Sequence, residues 1–253
     1  MGKIKFLLFF YFSIFISALA FNLSVSPPGF LVSLEKSETR EVEITNHSIF
    51  PMRVQVFLEK PEEIRDEDYL SSSVKIYPSI VTVPPKSTSS TRFTVRTDSN
   101  SLLDGEYRAN LVFRELPRGE SDIIKKDTEE SFQLDILTDV VVGLFAQKGK
   151  ISSRLDIGNL SVSTTENGET YLEALASGRG NSSIPILATI QYLDESSKKI
   201  HAESIFFGRA PREKNRTIST LLKNISKETK YLKIIFTDIK KEKLIDKEFL
   251  IKI

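Results

Sequence analysis

The 253-residue chain contains no cysteine and no tryptophan, and only two histidines, His47 and His201. Without cysteine there is no disulfide framework and no thiolate metal centre. Two histidines cannot supply an ordinary zinc site, which would have to draw on carboxylates to an unusual degree. Charge of one sign is not in excess either. Lys and Arg number 35 and Asp and Glu 34, a net of +1, so a polyanion feels no long-range attraction and nucleic acid is not an expected partner. Catalytic signatures are missing too. There is no Gly-x-Ser-x-Gly elbow, and Gly178-Arg179-Gly180 lacks the trailing Gly-Lys and the strand-then-helix setting of a phosphate loop. No enzyme activity, cofactor or small-molecule substrate is therefore expected.

The remaining composition, 40% hydrophobic and 27% charged, belongs to a folded chain with room for one large or two ordinary domains. Lys3 and Lys5 precede the apolar run Phe6–Ala20, which closes on Ala18-Leu19-Ala20. A basic start, a short apolar stretch and small residues two apart before a cut mark a secretory signal peptide. The run is shorter than the ~20 residues a spanning helix needs. The mature chain is expected to begin at Phe21 with a net charge of −1, and with no cysteine to carry a lipid. Asn-x-Ser/Thr triplets occur at Asn22, Asn46, Asn159, Asn181, Asn215 and Asn224. They read either as glycan acceptors of a eukaryotic secreted protein or as the Asn, Ser and Thr that crowd the turns of an all-β chain. The lack of cysteine favours bacterial export.

Beyond Phe21, period-two alternation in short runs dominates the chain. Met52, Val54, Val56 and Leu58 share one face against Arg53 and Gln55, and Phe93 and Val95 alternate with Arg92, Thr94 and Arg96. Pro84-Pro85 breaks the ladder after Val81–Val83. The acidic stretch Glu59–Asp68 has neither the ligand spacing nor the mid-loop glycine of a calcium loop and reads as a solvated connection. Ser131–Ala146 begins with Phe132, Leu134 and Ile136 alternating, then turns continuously apolar from Val140. That change suits a strand solvated at one end and enclosed at the other, near a domain junction. Gln147–Lys150 is the expected linker. Seven further strand candidates, from Asn159–Ser163 to Glu248–Ile251, fill the remainder. The expectation is an all-β chain, residues 21–147 and 148–253 each forming a sandwich.

Asp104-Gly105 opens a turn into a strand in which Tyr107, Ala109, Leu111 and Phe113 alternate with Arg108 and Asn110, and Pro117 ends the run. With Ser24–Pro28, Val42–Asn46, Tyr77–Pro85, Arg92–Arg96 and Phe132–Phe145, in that order, this segment resembles the N-terminal domain of the PapD-like periplasmic pilus-assembly chaperones. The resemblance covers roughly Phe21–Gln147. It implies two immunoglobulin-like β-sandwich domains in tandem after a signal peptide, a periplasmic location, and a chaperone for subunits of a surface fibre, with an outer-membrane assembly protein as a further partner. It also implies that the strand holding Phe132, Leu134 and Ile136 completes an unfinished subunit. From the residues alone, these side chains equally suit their own domain's core. The two basic residues with which such chaperones hold a subunit's terminal carboxylate would fall near Pro28 and Gly143, and neither is basic. Arg108 and Arg114 are expected on the solvated face of their strand. A structural or adhesive envelope module without chaperone activity is the alternative reading.

Overall fold

A computed structural model of the chain describes residues 22–96, 102–117, 137–239 and 244–253, with side chains from 248 on in the last of these. In it the alternating runs become strands. The first nine are β1 (Leu23–Ser26), β2 (Gly29–Ser33), β3 (Glu38–Asn46), β4 (Met52–Glu59), β5 (Val74–Tyr77), β6 (Ile80–Val83), β7 (Thr88–Val95), β8 (Gly105–Glu115) and β9 (Asp139–Lys148). They form two sheets, ordered β1-β3-β7-β5 and β2-β9-β8-β4-β6. Pro27 and Pro28, which cannot donate to a ladder, carry the chain from one sheet to the other between β1 and β2.

Alternation decides which side chains meet between the sheets. Val42, Ile44, Phe93 and Val95 from one sheet close on Val54, Val56, Leu111, Phe113 and Leu144 from the other, all buried. Each such side chain contributes roughly 1.5–3 kcal/mol through burial. Tyr107, near the start of β8, points the same way, and its hydroxyl donates to the Leu103 carbonyl four residues upstream at 2.9 Å. This is the tyrosine corner of immunoglobulin-type sandwiches. Tyr107→Phe is expected to cost about 1 kcal/mol, the net worth of one such bond, as a lower urea midpoint at unchanged slope.

The remaining strands build a second sandwich with its own core. They are β10 (Ser153–Thr164), β11 (Thr170–Gly180), β12 (Ile184–Leu193), β13 (Lys199–Ala210), β14 (Arg216–Leu222), β15 (Tyr231–Asp238) and β16 (Leu244–Lys252). The sheets are β10-β11-β14 and β13-β12-β15-β16, and Leu172, Ile186, Ile190, Tyr192, Ile234 and Phe236 are enclosed between them. The sequence-based expectation of an all-β, two-sandwich chain holds. β9 runs to Lys148, and the four residues 149–152 separate it from β10.

The outer faces of the first sandwich differ in kind. The four-stranded sheet shows hydroxyl pairs to solvent, Thr39 with Thr94 and Thr45 with Thr88, both at 2.9 Å. On the five-stranded sheet, Phe57, Val112 and Val141 lie side by side across β4, β8 and β9. Leu31 and Phe145 pair across β2 and β9 on the same face. Val141 and Leu31 are 53% and 55% exposed. The row is covered at Val112, which is only 1% exposed, and opens to solvent at its Val141 end; an exposed apolar side chain at the end of such a row is the unusual feature here.

Candidate functional site

The row ends on a strand that is paired on only one side for part of its length. β9 pairs antiparallel with β8 from Asp139 to Lys148, but parallel with β2 only from Gly143, opposite Gly29. Upstream of Gly29 stands Pro28. Among the described residues, Asp139–Val142 therefore has no ladder partner on the β2 side. The pairing phase settles which groups face that side. Glu115 donates to Thr138, directly opposite in the register, at 3.0 Å, and Leu34 donates to Gln147 at 2.8 Å. Even-numbered residues of β9 thus exchange bonds with β8, and odd-numbered ones turn toward β2. The N–H and C=O groups of Asp139 and Val141 consequently point out of the sheet edge.

Side chains around this edge follow the same parity. Val142, Leu144 and Ala146 are buried in the core and Val140 packs against it, while Val141 stands on the outer face. Arg114 holds the Asp139 carboxylate in a fork, with contacts of 2.7 to 3.1 Å, and lies over the Phe57 ring. The guanidinium keeps the Asp139 carboxyl below its ordinary range. Arg114 is about half exposed, as the sequence suggested. Phe132, Leu134 and Ile136, the strand positions singled out from the alternation, lie outside the described residues, as does the amino-terminal segment through Phe21.

Toward its other end, β9 enters the junction between the sandwiches. The Phe145 ring is held between two guanidinium groups, Arg108 of β8 at 4.7 Å and Arg209 of β13 at 3.9 Å from its centroid. The outer face here is closed by cation–π stacking and not by the apolar packing that the run Val140–Phe145 suggested. Arg108 corrects the expectation of a solvated side chain: it is 14% exposed and paired with Glu63 at 3.2 Å. Alternation assigns it to the outer face correctly, but the second sandwich covers that face. At Gly143, an added Cβ would stand 2.9 Å from the Phe145 ring. The ring fills the space that a basic side chain at this position would need.

Carboxylates complete the junction. Glu106, 3% exposed, accepts from the Ser183 amide at 3.2 Å and from its hydroxyl, and lies 3.9 Å from Arg209. Burial pushes the Arg209 guanidinium down from its usual pKa, and Glu106 draws it part of the way back. Asp68 joins Arg65 and Arg212, both at 2.9 Å. The acidic loop is thus only partly the solvated connection expected, since Asp68 and Glu63 are built into the junction. A hollow of about 160 Å³ remains between the sandwiches, lined among others by Arg65, Arg108, Arg212 and Glu213. Burial raises the Glu63 carboxyl, yet a backbone hydrogen bond and Arg108 outweigh it and the net shift is downward. A depressed carboxyl stabilises fully above its unfolded pKa of about 4.3. That contribution fades as pH falls through the lower folded value. Glu63→Gln is therefore expected to flatten the acid limb of the stability profile, measured by urea unfolding across the acid range.

Three of the six Asn-x-Ser/Thr asparagines have their side-chain amides engaged, Asn224 with the Glu203 carboxylate at 2.7 Å and two others with backbone carbonyls. The Asn46 amide donates to the carbonyls of Phe50, Val83 and Pro84. That of Asn181 donates to those of Asp104 and Lys150. Among the described residues no group of three or more His, Asp or Glu could hold a metal ion.

A parallel β2–β9 pairing, a proline crossover between sheets and a tyrosine corner describe one kind of sandwich, and comparison with known proteins agrees. Residues 25–147 match the family described as pili and flagellar-assembly chaperone, PapD N-terminal domain. The first sandwich is PapD-like. Among solved structures, the PapD-like chain is similar to the YadV chaperone, with 11% identity, a TM-score of 0.49, and 91% of this chain and 100% of that one covered. A chain of the complex between the SafA pilin and the SafB chaperone of Salmonella enterica matches with 12% identity, a TM-score of 0.48 and coverages of 94% and 99%. The E. coli chaperone DraB matches with 14% identity, a TM-score of 0.46 and coverages of 91% and 96%. No curated protein matches by sequence.

Proposed function

We propose that this chain is a periplasmic chaperone that binds incomplete subunits of a surface fibre by strand addition at the β9 edge, with residues 21–147 and 148–253 as its two domains. The observation that carries this reading is the outward-facing backbone of Asp139 and Val141 in a PapD-like sandwich, beside the row Phe57, Val112 and Val141. An unfinished sandwich has an unpaired strand edge and an open apolar groove, and both lead to aggregation. A lent strand satisfies the backbone groups, and its alternate side chains fill the groove. Phe132, Leu134 and Ile136 precede the open edge in sequence and share the parity of Val142, Leu144 and Ala146, so we assign them the groove-filling role. No ATP or cofactor enters the mechanism, because binding and release are exchanges of one strand pairing for another.

Arg108 and Arg209 are committed to Phe145, Glu63 and Glu106. Affinity is therefore assigned to backbone pairing and apolar contact, without a terminal carboxylate as the handle. The test is export of the chain together with the products of neighbouring reading frames, followed by affinity purification. A stoichiometric envelope subunit is expected, lost when Leu134 and Ile136 are both replaced by Asp. A folded protein that recovers no subunit would favour the structural or adhesive module instead.

A further inference from the structure

The residues between the two sandwiches look like a hinge in sequence, a polar stretch with a glycine, yet Gly149, Lys150 and Ser152 are all hydrogen-bonded. We propose that Asn181, at the turn between β11 and β12, is the positioning residue that locks the linker and fixes the angle between the sandwiches. It makes five hydrogen bonds, all to groups of the linker or of the start of β8. Its side-chain amide donates to the Asp104 carbonyl at 3.1 Å and to the Lys150 carbonyl at 2.9 Å. Its side-chain oxygen accepts from the Ser152 amide at 2.8 Å. Its own N–H donates to the Ser152 carbonyl at 3.0 Å, and its C=O accepts from Glu106 at 2.8 Å.

Two further linker residues are tied down as well. Gly149 donates to Glu35 at 2.7 Å and Lys150 to Asp104 at 3.0 Å. Gly149 has φ +58, and a Cβ there would stand 1.8 Å from an Asp104 carboxylate oxygen. Gly180, at φ +115, brings the Asn181 turn so near that a Cβ would be 2.1 Å from the Ser152 carbonyl. Both glycines permit an approach that any side chain would block. Two domains joined by a short linker normally move against one another unless their interface is large and apolar. This interface is polar, so the fixed angle must come from directional bonds, and Asn181 holds more of them than any other residue described at the linker.

Asn181→Asp tests this with almost no change in shape. It replaces the one amide nitrogen that donates to both Asp104 and Lys150 with an oxygen facing their carbonyls, and leaves the backbone bonds available. Because the chain has no cysteine, Thr82→Cys and Ser219→Cys place one spin label on each sandwich without background. Their distance distribution by electron double resonance is expected to be single and narrow in the parent. It should be at least about twice as wide in Asn181→Asp, as for domains freed to move. Gly149→Ala touches neither core and should widen it similarly, so it decides the matter if Asn181→Asp disturbs its own sandwich. Asn181→Gln, which keeps the donors on a longer arm, should recover part of the narrowing. A broad distribution in the parent, or an unchanged one in either folded variant, overturns the proposal. No subunit is present in the measurement, so its outcome is separate from that of the chaperone reading.

Discussion

Val141→Pro is expected to weaken subunit binding about 100-fold while leaving the protein folded. Proline removes the N–H of residue 141 and puts a ring in its place. That N–H points out of the β9 edge, since the bonds to β8 fall on Val140 and Val142. Proline is tolerated on edge strands where the lost donor faces solvent. The folded state should lose only about 1 kcal/mol, mostly from replacing a half-exposed valine. An incoming strand would meet a missing donor and a ring in its path. The expected loss is on the order of 2–3 kcal/mol, or about 100-fold in affinity. Val140→Pro is the companion. It strips the donor that bonds Phe113, leaves that carbonyl unpaired in the sheet, and should cost the fold about 3 kcal/mol. Neighbouring residues therefore behave differently: one substitution harms binding and the other harms folding. Isothermal titration against the co-purified subunit's edge-strand peptide, beside urea unfolding, reads both.

The second large effect belongs to the junction. Glu106→Leu conserves volume but removes the carboxylate that receives both polar hydrogens of Ser183 and lies beside Arg209. Arg209 is itself largely buried, so it is left without its nearest carboxylate. Losing one partner of a buried pair costs about 3–5 kcal/mol, and the Ser183 amide adds to this. Unfolding is expected to shift to lower urea and to split into two transitions as the sandwiches uncouple. Glu106→Gln, which can still accept from Ser183, should lose less. Replacing Arg209 by Met in the Glu106→Leu background should restore part of the stability, because a junction without either charge is cheaper than one with a single charge. If Glu106→Leu unfolds in one transition at the parent midpoint, the junction is not held together by this pair.

Much of the fold was legible because one rule governs it. Wherever one face of a strand is buried, the side chains alternate, and Tyr107, Ala109, Leu111 and Phe113 announced β8 together with its inward face. The same rule found all seven strands of the second sandwich. The junction was not legible, and the reason is physical. Glu106 meets Ser183 across 77 residues and Asp68 meets Arg212 across 144, and no local periodicity carries such pairings. Arg108 shows the limit best. Alternation placed it on the outer face, but whether that face meets water depends on another domain. Asn181 and Asn46 read as possible glycan acceptors because a triplet says nothing of whether its amide is already used. The open edge itself needed the register: only the start of β2 at Gly29 reveals that Asp139–Val142 lacks a second ladder partner among the described residues.

The most direct test is amide hydrogen exchange at residues 139–142, monitored by nitrogen-15 NMR, with and without the subunit's edge-strand peptide. In the free protein, Val140 and Val142 should be protected by their bonds to β8, and Asp139 and Val141 should exchange fast. With peptide bound, the protection of Asp139 and Val141 should rise by about 100-fold or more. If Val141 is already protected in the free monomer, or is unchanged in a saturated complex, then strand addition at this edge is not how the protein works.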